Sequence, residues 1–152
     1  MSALDTSLTA AHAEVKAEIA RTDNKTALLL AFIGALLAGV WTVAKDVHLP
    51  VPAVVVGGLG VALLVAAAAL LLRAVRPNLS GAAVAGIPLW ATLTAEEIRT
   101  RLAVDQRGQD IANLSRIAVS KFTGLGRAVD LTRAAGVLLI IAAVIAVGSA
   151  LW

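Results

Sequence analysis

Cysteine is absent from the 152 residues, which excludes disulfides, thiolate metal sites and a cysteine nucleophile. Histidine is nearly absent: His12 and His48 stand alone, and no cluster of histidine and carboxylate has metal-ligand spacing. Charge is scarce too, at 15% Asp, Glu, Lys and Arg, where soluble domains carry about 25%. Neither glycine nor proline occurs before Gly34, so nothing interrupts a helix through the first 33 residues. The one glycine-rich stretch, Gly57-Gly58-Leu59-Gly60, lacks the Lys-Ser/Thr of a phosphate loop and lies in an apolar run. No catalytic constellation remains, so the chain reads as a non-enzyme with no cofactor.

Apolar residues dominate, at 59% of the chain with a mean hydropathy of +0.88, and they come in blocks. Thr26–Ala44 is 19 residues without a charge, Leu49–Leu72 is 24, and Ala134–Trp152 is another 19. At about 1.5 Å per residue, each is long enough for a hydrocarbon layer about 30 Å thick. Lipid leaves helices or closed barrels as the spanning structures, and continuous apolar runs are not barrel strands. Pro50 and Pro52 fall in the first turn of the second block, where a missing N–H does little harm. The first block is too long for a cleaved signal peptide and is followed by Lys45-Asp46, so it reads as a retained span.

The basic residues give the orientation. Twelve Lys and Arg lie in residues 1–25 and 73–133, against Lys45 alone in the 45–48 turn. The positive-inside rule places the first two segments in the cytoplasm and the turn and Trp152 outside. The expected fold is therefore an all-α integral membrane protein with three transmembrane helices. A cytoplasmic amphipathic helix (1–25) precedes the first span (26–44), an outer turn (45–48) and the second span (49–72). Cytoplasmic loop and helices (73–133) lead to the third span (134–152). Trp41 and Trp152 sit near span ends, where interfacial tryptophan is favoured. The pI near 10 follows from orienting charge, so no nucleic-acid partner is expected; the bilayer is the partner.

Outside the lipid, Leu4, Leu8, Ala11, Val15, Ile19 and Thr22 form one helical stripe, with Asp5 or Ser7 as its cap. Arg76-Pro77 ends the second helix, and residues 77–93 are loop-like, with Trp90 as a surface anchor or a core residue. Thr94-Ala95-Glu96-Glu97 reads as a capping box. Gly108 interrupts the apolar phase, after which Ile111, Leu114, Ala118, Phe122, Leu125 and Val129 make a second stripe. The two stripes are expected to pack as a small cytoplasmic bundle continuous with spans one and three. Small residues at four-residue spacing line each span: Ala27, Ala31, Ala35 and Gly39; Gly58, Ala62 and Ala66; Ala142, Ala146 and Ala150. Such ladders favour close helix approach and a homo-oligomer. No ionisable residue lies inside a block so drawn, which disfavours transport.

One polar cluster stands where the first helix enters lipid, Arg21-Thr22-Asp23-Asn24-Lys25. Two readings apply to it. It is an interfacial charge belt, or a site in which Arg21 and Lys25, one turn apart, hold an anion. In the second reading Asp23 or Asn24 bonds a sugar or base, and Arg73 and Arg76 at the end of the second span complete the pocket.

This cluster and three further segments carry a family resemblance. "EIARTDNKTALLLAFIGALLAG", "LLLRAVRPNL", "GIPLW" and "DIANLSRIAVSKF", in that order and spacing, resemble the Pycsar effector transmembrane family over nearly the whole chain. The resemblance implies a bacterial antiphage effector that impairs the inner membrane. A cyclase would supply its cyclic pyrimidine mononucleotide, cyclic UMP or cyclic CMP. No strand-rich segment that would build a separate nucleotide-binding β-roll is present. Similar short membrane proteins are also described as plasmid-transfer membrane proteins, so a non-enzymatic accessory in conjugative transfer is the alternative.

Overall fold

A chain without Gly or Pro through its first turns, then without charge, has every reason to stay helical across the change of solvent. In a computed structural model, which describes residues 3–75, 89 and 91–151, it does. Helix α1 runs unbroken over Ala3–Asp46 and α2 over Val51–Val75; a short α3, Ala95–Leu102, precedes the long α4, Arg107–Ala150. No strand occurs among the described residues. Three of the helices, α1, α2 and α4, are long and apolar enough to cross a membrane. Arg76–Pro77, most of the 77–93 loop, Trp90 and Trp152 lie outside the described residues.

Local chemistry sets the ends. Helix α1 begins at Ala3, so Asp5 and Ser7 lie inside it rather than capping it, and the Ser7 hydroxyl donates to the Ala3 carbonyl at 3.0 Å. The Val54 N–H reaches back to the Pro50 carbonyl at 3.1 Å, closing the first turn of α2. The capping box of α3 is complete. The Glu97 N–H donates to the Thr94 hydroxyl (3.3 Å), and the Thr94 N–H and hydroxyl both donate to the Glu97 carboxylate (2.8 Å each). Those two donors hold the Glu97 carboxyl below its ordinary range. The helix break falls at 103–106 and not at Gly108, which sits in the first turn of α4. Asp105 accounts for the difference, its carboxylate accepting the Arg107 N–H at 3.0 Å and opening α4 there.

The chain divides into two compact units. One gathers the start of α1 with α3 and the start of α4, within residues 1–20 and 76–119; the other holds residues 21–75 and 120–152. In the first, Leu8, Ala11, Val15 and Ile19 are half-buried, as their stripe requires, while Leu4 stays exposed.

In the second unit, Ile33 of α1, Leu64, Ala67 and Leu71 of α2, and Ala128 and Ala135 of α4 form the core. Within the chain, the small residues of the first two four-residue ladders are not the buried ones, while Ala142 of the third is. Ala27, Ala31, Ala35 and Gly39 face outward, as do Gly58, Ala62 and Ala66. The buried small residues recur at sevens: Ala53, Gly60 and Ala67 on α2, and Ala128, Ala135 and Ala142 on α4. A seven-residue repeat keeps one seam on the partner helix as both supercoil, whereas a strict four-residue ladder drifts around the helix. The second predicted stripe keeps its phase, but beyond Ala118 the inward position passes to Ala128, which leaves Phe122 and Val129 exposed.

Helices α2 and α4 run antiparallel along this seam. A Cβ built on Gly57 would meet Ala142 at 3.5 Å, one on Gly60 would meet Leu139 and Ala135 at 3.0–3.2 Å, and one on Gly124 would meet Ala74 at 3.9 Å. Leu28, Phe32, Leu59, Val65, Val137 and Ile140, all large and apolar, remain exposed. A water-soluble domain rarely exposes so many; a membrane protein offers them to lipid.

Candidate functional site

The Arg21–Lys25 cluster is continuous helix, so about 100° of rotation separates successive side chains. Thr22 and Thr26 define the inward face, 2% and 5% exposed. The Thr26 hydroxyl donates to the Thr22 carbonyl at 2.9 Å, which satisfies it without a partner helix. Relative to that face, Asp23 lies on one flank. Arg21, Asn24 and Lys25 share the remaining arc, all exposed.

The two flanks do different things. Asp23 is engaged: the Lys121 ammonium of α4 donates to its carboxylate at 2.5 Å, with side chains 47% and 22% exposed. Lys121 escaped the sequence reading because nothing local marks a pair whose members are 98 residues apart. Arg21 and Lys25 stand one turn apart on the other flank, and their two cations with the Asn24 amide can hold an anionic group at the surface. Arg73 is exposed on α2, on the side turned away from Leu64, Ala67 and Leu71. Arg76 lies outside the described residues. The five described candidates thus separate into Arg21, Asn24 and Lys25 on one face, Asp23 bound to Lys121, and Arg73 on another helix.

The Asp23–Lys121 pair has a consequence for stability. Asp23→Ala leaves a mostly buried ammonium without its carboxylate, so a thermal midpoint lower by several degrees in detergent is expected. The exchange of charges in Asp23→Lys with Lys121→Asp restores most of it. An unchanged midpoint in Asp23→Ala would show that the pair contributes nothing.

A second polar constellation lies in the other unit. All five guanidinium N–H groups of Arg107 are used. Nε donates to Asp105 Oδ1 (2.9 Å) and Nη2 to Asp105 Oδ2 (2.8 Å) and the Asp5 carboxylate. Nη1 donates to the Thr9 hydroxyl (2.8 Å) and the Asp5 carbonyl (3.3 Å). Hydrogen bonds and charge from Arg107 pull the Asp105 carboxyl down from 3.8 to about 2, and Asp105 and then Asp5 raise the guanidinium in return. This clasp ties the first turns of α1 to the first turn of α4. Among the described residues no group of three or more His, Asp or Glu is placed to hold a metal ion.

Comparison with curated proteins and with solved structures found no significant match. A family model does match: that of the Pycsar effector protein domain, over residues 7–148. The match takes in the Arg21–Lys25 cluster, all three apolar helices and most of both ion-paired constellations, and the chain belongs to the Pycsar effector protein family, as a membrane effector of that antiphage defence.

Proposed function

We propose that this effector impairs the bacterial inner membrane when a cyclic pyrimidine mononucleotide, cyclic UMP or cyclic CMP, binds at the Arg21–Lys25 face. The observation that carries the reading is the position of two exposed cations and an amide, one turn apart, where a continuous helix passes from its polar part into its charge-free part. A cyclic nucleotide presents one phosphodiester anion, which Arg21 can bond through two N–H groups while Lys25 adds a point charge. Asn24 supplies a donor and an acceptor for sugar or base. The positive-inside rule puts the polar part of α1 and the segment between α2 and α4 on the cytoplasmic side, where the nucleotide is made, and the 45–48 turn outside.

The effector works by rearrangement and self-association in the membrane and not by catalysis. The nucleotide shifts the helices only as far as it binds the active arrangement better than the resting one. Copies of the chain associate within the bilayer through the outward-facing small residues Ala27, Ala31, Ala35 and Gly39 of α1 and Gly58, Ala62 and Ala66 of α2, which let helices of two chains approach closely.

Expression in a bacterium, with membrane potential followed by a dye while either nucleotide is supplied, tests this. Depolarisation with one nucleotide is expected. Arg21→Ala or Lys25→Ala raises the nucleotide concentration required by about tenfold or more without changing insertion. Arg21→Lys recovers part of the response, because it keeps the charge and loses the two-pronged contact. A potential that holds under both nucleotides, with the protein inserted, refutes the reading.

A further inference from the structure

The register of the helices in the membrane unit places charged residues deeper than the sequence alone does. Counted from the sequence, the third span starts at Ala134, after Arg133. The antiparallel contacts of α4 with α2 say otherwise. Between the Gly60–Ala135 contact and the Gly124–Ala74 contact, Asp130 stands level with Ala67 and Arg133 level with Leu64. The cytoplasmic end of the charge-free stretch of α2 is marked by Arg73. At 1.5 Å per residue, Asp130 and Arg133 therefore lie roughly 9 and 13 Å inside that limit. Helix α1 gives the same result. Its charge-free stretch starts after Lys25, two residues beyond the Asp23–Lys121 pair, while Arg133 lies twelve residues beyond that pair on the parallel α4.

Both side chains are on the wrong side of α4 to be sheltered by the chain itself. With Ala128, Ala135 and Ala142 inward, Asp130 and Arg133 project about 140–200° away, on the face of Val137 and Val144. Both are exposed, and neither forms a hydrogen bond or ion pair among the described residues. Ionised groups at such depth are costly against lipid and regularly face protein or water. Arg133 can extend toward the headgroups; the short Asp130 cannot.

We propose that this face of α4 is covered by the same face of a second copy. Asp130 lies between Arg127 and Arg133, three residues to either side, so the face carries both signs within one turn of each other. Two copies in the same membrane orientation and at the same depth bring each Asp130 to the partner's arginines, with Val137 and Val144 packed beyond. The charge pattern selects a second copy over lipid, which offers no cation at that depth. This rests on the self-association proposed above and not on the activating nucleotide. It gives membrane impairment a place, a polar seam between copies in the cytoplasmic half of the bilayer.

Because the chain has no cysteine, single cysteines test the proposal directly. Val137→Cys keeps every charge and sits at the centre of the face; Ala35→Cys marks the outward small-residue ladder of α1. Each full-length variant is oxidised in native membranes and read as cross-linked dimer, which requires Cα atoms within about 7 Å. Cross-linking of Val137→Cys is expected. Asp130→Arg added to it reduces the yield several-fold, and Arg133→Asp added to both restores it. Cross-linking at Ala35 with none at Val137 overturns the α4 interface and leaves self-association standing. No cross-link at either position overturns both. Cross-linking at Val137 that ignores Asp130→Arg overturns the charge pairing.

Discussion

Gly60→Leu is expected to separate α2 from α4 and to lower the thermal midpoint of the detergent-solubilised protein, by about 3 kcal/mol of lost stability. The reason is the space at one point on the seam. Even a single carbon on Gly60 would stand 3.0 Å from Leu139 Cγ and 3.2 Å from the Ala135 carbonyl oxygen. Leu139 can turn aside, but the carbonyl belongs to the backbone of α4 and moves only with that helix. Gly60→Ala is milder because alanine's better helix propensity, about 1 kcal/mol, offsets part of the crowding. In lipid no hydrophobic drive holds two helices together, so the close approach at Gly60 matters more than it would in water. The control is two residues away. Nothing lies within 4 Å of a Cβ on Gly58, and Gly58→Leu is expected to leave the midpoint nearly unchanged. Equal losses at both positions would show that the seam does not pass through Gly60.

That contrast also shows what the sequence makes legible. Gly58 and Gly60 are equivalent in composition, and both occur in an apolar block that is read at once as a spanning helix. Which one touches a partner depends on the phase of the seam, a property of two helices and not of either. Four-residue ladders are visible in an alanine-rich chain wherever one looks. The seven-residue set of Ala53, Gly60 and Ala67 gains meaning only against Ala128, Ala135 and Ala142. Length, absence of charge and the Thr94–Glu97 capping box are local, and they were readable. The charge count that gives the third span its start is also local, whereas the register of Asp130 and Arg133 against α2, on which the proposed α4 interface rests, belongs to two helices. Register is read from neighbouring helices, through contacts such as Asp23 with Lys121. Of the candidate site, Arg21 and Lys25 were legible because an interval of four residues fixes a shared flank. Asp23 was not, because its engagement is decided by a lysine 98 residues away.

Arg107 poses the same problem over a similar distance, and its replacement is expected to have the largest effect in the other unit. Arg107→Ala removes at once the bonds to Asp5, Thr9 and Asp105. The amides of residues 3–12 are then expected to exchange with solvent several-fold faster, while those of residues 26–40 keep their protection. Arg107→Lys should fall nearer to alanine than to the native protein. One ammonium has three donors and no planar fork, so it cannot serve two carboxylates, a hydroxyl and a carbonyl together. A double-mutant cycle with Asp5→Ala separates the link between helices from the local contact with Asp105, which also opens α4. The pH dependence follows from the direction of the carboxyl shift. The Asp105 carboxyl is depressed in the folded chain to about 2, from 3.8. Its contribution is therefore complete above the ordinary value and fades only as pH falls from about 4 toward 2. Between pH 5 and 8 the clasp should hold unchanged once intrinsic exchange rates are corrected for, which separates it from a histidine-based switch. If residues 3–12 exchange equally in the native and Arg107→Ala proteins, the start of α1 is held by its half-buried apolar stripe alone, and Leu8, Ala11, Val15 and Ile19 become the residues to replace.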